Sequence, residues 1–195
     1  MSQRWTLRLP GLLLLLGAAV LSGCSQEQAA SQTLPSTATS AAPTEDDLPP
    51  LGPADMPMPA EARTPDAAGA EAFVRYYIDL INRTSTVMDA QPLREFSDGC
   101  RDCDRIADNT EEAIEAGQSY RDGEIVITNF EPPLLDGTTA SIAIIFDQAA
   151  LVVLDEFGDS VDEGSSDAYS QLTGGIGLRW DSSHKCWLIT DFTVD

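Results

Sequence analysis

Cys100-Arg101-Asp102-Cys103 is the tightest pairing of reactive residue types in the chain. Three chemistries compete for it. At helical spacing the two Cα atoms come within the roughly 4.4–6.8 Å that a disulfide needs. A thiol oxidoreductase would use the same pair at a helix N-terminus, where the thiolate pKa is lowered. Such motifs open a helix straight after a strand, and here a helix comes before. A zinc site would add His184 and Cys186, two apart on a strand and able to point the same way. That spacing matches no known finger, and His184 falls in a turn. The expectation is a disulfide between Cys100 and Cys103, with no metal and no cofactor. Cys186 is then left as a buried thiol beside Trp187, or bridged to the helix pair.

Asp155, Glu156, Asp159, Asp162, Glu163 and Asp167 crowd one stretch. A calcium loop of the EF-hand kind starting at Asp155 fails, because Phe157 takes the third place and Ser160 the sixth. A solvated acidic loop is expected. Gly174, Gly175 and Gly177 are no phosphate loop, since the last glycine would have to replace Trp180 and no helix follows. No Gly-x-Ser-x-Gly elbow is present. Asn82-Arg83-Thr84 matches a glycosylation sequon. For proton transfer the chain offers Asp79, Asp147 and Asp191 near apolar runs, and one histidine. No catalytic residue is assigned. The 195 residues carry 32 Asp+Glu against 11 Lys+Arg, a formal −21. Phosphates would be repelled, which excludes nucleic-acid binding, and a polybasic grip on anionic lipid is excluded too.

These groups must be held by something, and the chain starts with an address. Arg4 and Arg8 precede an apolar run over residues 9–21, too short to span a bilayer. Leu21-Ser22-Gly23-Cys24 then resembles the lipobox of bacterial lipoproteins. That resemblance implies removal of residues 1–23 and a diacylglyceryl group on Cys24. The mature chain would keep 9 Lys+Arg against 32 Asp+Glu, a formal −23. Its membrane contact would be the lipid alone, on the extracytoplasmic face. Residues 24–65 are rich in Ser, Thr, Ala and Pro, with too little apolar surface to offset ordering entropy. A disordered tether spanning roughly 35 Å is expected.

Residues 66–195 change texture. Over residues 71–82, Phe73, Tyr77 and Ile81 step by four beside Val74 and Ile78, an amphipathic helix. A short helix over 89–96 carries Pro92 in its first turn. A third, over about 100–116, turns Ile106, Ala113 and Ile114 inward and stops at Gly117. Strands follow over 124–130, 138–147, 151–154, 169–180 and 186–193. In the last, Trp187, Ile189 and Asp191 share a face opposite Leu188, Thr190 and Phe192. Helices first and strands after mean an α+β domain: three helices on one curved antiparallel sheet.

That order resembles the cone-shaped fold of nuclear transport factor and of SnoaL-like polyketide cyclases. The segments 58–62, 69–77 and 92–94, with Ser97 and the Cys100–Cys103 pair, resemble an actinobacterial lipoprotein family, domain of unknown function 6318. The likeness covers about residues 56–195 and is strongest up to Cys103. It implies location and fold but no activity. In a cone, Phe73, Tyr77, Phe146 and Trp180 could line a pocket under the helices. Residues 66–195 hold 8 Lys+Arg against 26 Asp+Glu, a formal −18. This favours a neutral, apolar or cationic ligand, or a basic cell-envelope protein, over an anion. The expectation is a tethered binding or accessory module. The alternatives are a cone-fold enzyme with a buried carboxylate and a redox protein using the paired cysteines.

Overall fold

In a computed structural model, residues 49–195 are described. The signal segment, Cys24 and residues 25–48 of the expected tether lie outside them. Helix α1 (Ala67–Val87) starts where the Asp66 carboxylate accepts the Gly69 N–H at 2.8 Å. It buries Phe73, Val74, Tyr77, Ile78, Leu80 and Ile81. It outruns the expected 71–82 at both ends. Asp66 caps it early, and at the far end Thr84 returns its hydroxyl to the Leu80 carbonyl at 2.8 Å. Helix α2 (Gln91–Glu95) carries Pro92 in its first turn. Helix α3 (Arg101–Glu115) buries Cys103, Ala107, Thr110 and Ala113. Ile114, expected inward, is 46% exposed. It stands one residue past Ala113, and a helix turns about 100° per residue, which takes it off the buried stripe.

Eight strands follow: β1 (Ser119–Asp122), β2 (Ile125–Phe130), β3 (Leu134–Asp136), β4 (Thr139–Gln148), β5 (Leu151–Leu154), β6 (Ser160–Ser166), β7 (Tyr169–Asp181) and β8 (Cys186–Val194). The single curved sheet expected from the strand order does not form. There are two antiparallel sheets. One has five strands, in the order β2-β4-β7-β8 with β3 also on β4. The other has three, β1-β5-β6. Ala149 and Ala150 end β4, and β5 then pairs with β1 instead of continuing the meander. The acidic stretch expected as a loop supplies β6. Asp155 Oδ1 accepts the Phe157 and Asp159 N–H groups, both at 2.9 Å, which turns the chain back along β5. Asp162-Glu163-Gly164 is poor strand material, so its pairing comes from the hairpin rather than from propensity.

In β8 the expected alternation breaks. Gly177 pairs with Asp191 but Leu178 pairs with Ile189, leaving Thr190 as an extra residue. This bulge flips the face. Trp187, Ile189 and Phe192 are therefore all buried.

Residues 49–65 correct a second expectation. Expected within the disordered tether, they form a strap bound to the domain. A 3-10 turn, Ala60–Arg63, buries Ala62 and Arg63, and Met58 joins the core. The strap is held mainly by polar bonds, which its composition does not reveal. Tyr76 donates to the Met56 carbonyl at 3.1 Å, Trp187 Nε1 donates to the Thr64 carbonyl at 2.9 Å, and Arg83 grips Asp55 at 2.8 Å and 3.0 Å. Strap and α1 touch where Gly69 has no side chain. A Cβ there would lie 2.1 Å from the Thr64 carbonyl oxygen, a backbone atom. Gly69→Ala is expected to cost on the order of 2 kcal/mol by overpacking, read as a lower urea midpoint. An unchanged midpoint would mean that the strap is not seated on α1.

Candidate functional site

Between the helices and the two sheets lies a cleft of about 610 Å³. Four elements build it. α1 contributes its last turns through Ile81, Thr84 and Ser85. α3 contributes one face through Ile106, Asn109 and Ala113. The three-stranded sheet gives Tyr120, Leu151, Val153 and Glu163. The five-stranded sheet gives Ile125, Phe146, Gln148, Phe192 and Val194. The floor is thus aliphatic and aromatic, and the rim is polar. A size of this order suits a small organic ligand.

Several rim groups are already occupied. Tyr120 donates to the Asn109 carbonyl at 2.9 Å, and Thr110 to the Ile106 carbonyl at 3.0 Å. Burial raises the Tyr120 pKa, so the phenol stays protonated at neutral pH. Arg105 donates to Asp102 at 3.2 Å, one turn apart on α3. The side chains of Asn109, Gln118 and Gln148 also line the space.

Of the four residues expected in the pocket, Phe146 lines it. Phe73 and Tyr77 are fully buried core instead. Phe73 stacks edge-on with Phe96 at 6.4 Å, and Tyr77 donates to the Leu93 carbonyl at 3.1 Å. Trp180 lies against Trp187, 5.4 Å between ring centres, away from the cleft. The error follows from the second sheet. It walls the space at the C-terminal end of α1, whereas Phe73 lies in its first half and Tyr77 at its midpoint. The apolar periodicity of α3 marked Ile106 and Ala113, which do line the cleft, but not its polar lining residues such as Asn109 and Glu112, and β6 was missed altogether.

None of the three carboxylates considered for proton transfer reaches the cleft. Asp79 is exposed on α1, with its pKa somewhat raised by partial burial. Asp147 accepts the Gln171 N–H at 2.8 Å, and Asp191 is exposed on β8. His184 stands exposed in the β7–β8 turn, 2.7 Å from Asp181, whose pKa this bond and those from Ser183 hold far below the usual carboxylate range.

Cys100 and Cys103 are joined as expected, with Cα atoms 5.2 Å apart. Cys100 also caps α3, its Sγ accepting the Cys103 N–H at 3.2 Å. Both are buried, as is Cys186, the free cysteine among the described residues. So small a closed loop constrains the unfolded chain less than the roughly 3 kcal/mol of a 15-residue loop. Peptide mapping without reductant is expected to join Cys100 to Cys103 and to find Cys186 alkylated only after unfolding. A bridge from Cys186 to either partner would overturn this.

Burial, with a smaller push from Asp181, lifts the Cys186 thiol to about 11 from its ordinary 9.0. Burial raises Tyr76 and Tyr77 above their ordinary 10.0 as well. A group whose folded pKa exceeds its unfolded value stabilises fully below the unfolded value, and that contribution fades as pH rises through the folded one. Thermal stability is therefore expected to fall as pH rises above about 9. Cys186→Ala should blunt the fall between 9 and 11. A melting temperature constant from pH 8 to 11 would contradict these burials.

No family model matches the chain, and no curated protein does. Solved structures resemble it to differing degrees. The intermembrane space region of chloroplast protein ARC6 has a TM-score of 0.50 at 19% identity, over 66% of this chain and 95% of that one. Aln2 from a Streptomyces species has a TM-score of 0.42 at 12% identity, over 67% and 92%. A protein designated Rd1NTF2_05, with substitutions, has 0.39 at 10%, over 65% and 99%. At such identities the likeness extends to the fold and not to chemistry.

Proposed function

We propose that the chain is a lipid-anchored extracytoplasmic binding module, related to the lipoprotein family that residues 56–195 resemble. The observation that carries the binding role is the cleft itself, an apolar floor under a polar rim. Its lining includes no histidine and no cysteine. Its carboxylates are an ion-paired Asp102 and the solvent-exposed Glu112 and Glu163. Groups so placed face water rather than a shaped, dry site, which favours recognition over proton transfer. The anchor rests on the sequence of residues 21–24. The carbonyl of Pro49, near the start of the strap, accepts from Arg63 beside the β7–β8 turn. Phe192 and Val194, which line the cleft, stand at the other end of β8. The strap and the cleft thus lie at opposite ends of β8.

Two variants separate anchor from cleft. Cys24→Ala is expected to move the protein from the membrane to the soluble exported fraction. Membrane retention after proven signal cleavage would refute the anchor. Asn109→Trp places a large ring in the cleft from an exposed position on α3. In a deletion strain it should remain folded and membrane-bound yet behave as the deletion does. Full complementation would refute the cleft as the working site.

A further inference from the structure

The rim of the cleft carries an unbalanced charge. Asp102, Glu112, Glu163 and Arg105 line it. Arg105 is taken by Asp102 on its own helix. Glu112 on α3 and Glu163 on β6 take part in no ion pair among the described residues. They belong to different elements on the lining, so two uncompensated carboxylates border one apolar space. The floor below offers Ile81, Ile106, Phe146, Val153 and Phe192 and no further charge.

We propose that the cleft takes a cationic amphiphile, an alkyl chain or apolar ring system carrying an ammonium group. The apolar part would lie on the floor, and the ammonium would sit at the rim with Glu112 and Glu163. This rests on the cleft being a binding site, and adds the class of its occupant. The charge argument has two parts. An anionic head would meet two carboxylates in a domain of formal charge −18. A cationic head is instead attracted to both, while the floor supplies most of the affinity by burying the chain. The carboxylates are exposed, so their contribution is modest and falls with salt.

The test is a calorimetric titration of the exported Cys24→Ala chain with octyltrimethylammonium, octyl glucoside and octyl sulfate. Each probe is kept below its micelle-forming concentration. The ammonium is expected to bind about tenfold more tightly than the sulfate, with the glucoside between. Glu112→Gln with Glu163→Gln should abolish the preference and leave the glucoside unaffected. High salt should do the same to wild type. Equal or tighter binding of the sulfate, or a preference that survives both Gln substitutions, would overturn the cationic assignment while leaving the cleft a binding site. Failure of all three probes to bind, or binding untouched by Asn109→Trp, would overturn the cleft reading as well. Circular dichroism on each variant establishes that the fold is retained.

Discussion

Trp187→Ala is expected to lower unfolding free energy by about 4 kcal/mol. Trp187 is fully buried and heads the largest buried side chains of the domain. Its ring meets Trp180 edge-on at an interplanar angle of 68°. Its indole N–H donates to the Thr64 carbonyl, so it joins β8 to the strap through both packing and a hydrogen bond. Truncation leaves a large void and an orphaned carbonyl together. Domains of this size have roughly 5–15 kcal/mol in total, so the variant should unfold in dilute urea. Trp187→Phe keeps most of the ring and should lose about half as much. A loss under about 1 kcal/mol for the Ala variant would mean that Trp187 does not sit where the strap meets β8.

The second large effect is Arg63→Ala, expected to cost about 3 kcal/mol. Arg63 is 5% exposed, and its guanidinium donates to the carbonyls of Pro49 at 2.6 Å, His184 at 2.9 Å and Lys185 at 3.4 Å. A buried charge is tolerated only when its donors are used. Here the flat fork of the guanidinium ties the start of the strap to the β7–β8 turn. Arg63→Lys should not rescue, since an ammonium lacks that fork. The cost should appear as proteolysis within residues 49–65 under native conditions, where wild type resists. Arg63→Ala and Trp187→Ala hold the same segment, so the double variant should lose less than the sum. Strict additivity would mean that the strap is not one cooperative unit.

The helices were legible because their signals are local. Pro92 and Gly117 mark ends, and Phe73, Tyr77 and Ile81 mark a face, whereas the Asp66 cap that starts α1 early was not read. The strap was not legible, because Ala, Pro and Met over residues 49–65 read as linker. What folds it is a set of distant partners, Arg63 to the β7–β8 turn and Thr64 to Trp187, 123 residues apart. β6 was hidden for a related reason: Asp162 and Glu163 look like loop, and only β5 makes them a strand. Losing β6 meant losing the second sheet, and with it the position of the cleft. Phe146 was found because its alternation in β4 is strict. Phe73 and Tyr77 were misplaced because large aromatics on a buried stripe fit a core as well as a pocket. The Thr190 bulge leaves no mark in the sequence, since Thr190 suits a regular strand equally well.

The central claim is that the cleft holds a ligand when the protein is in the cell envelope where we propose it is anchored. Native mass spectrometry of the protein purified from that envelope tests it most directly. The expected result is a wild-type ion heavier than the lipidated chain by one small molecule, with that mass missing from the Asn109→Trp variant. A wild-type chain that carries nothing beyond its lipid, or an adduct that persists in Asn109→Trp, would contradict the claim.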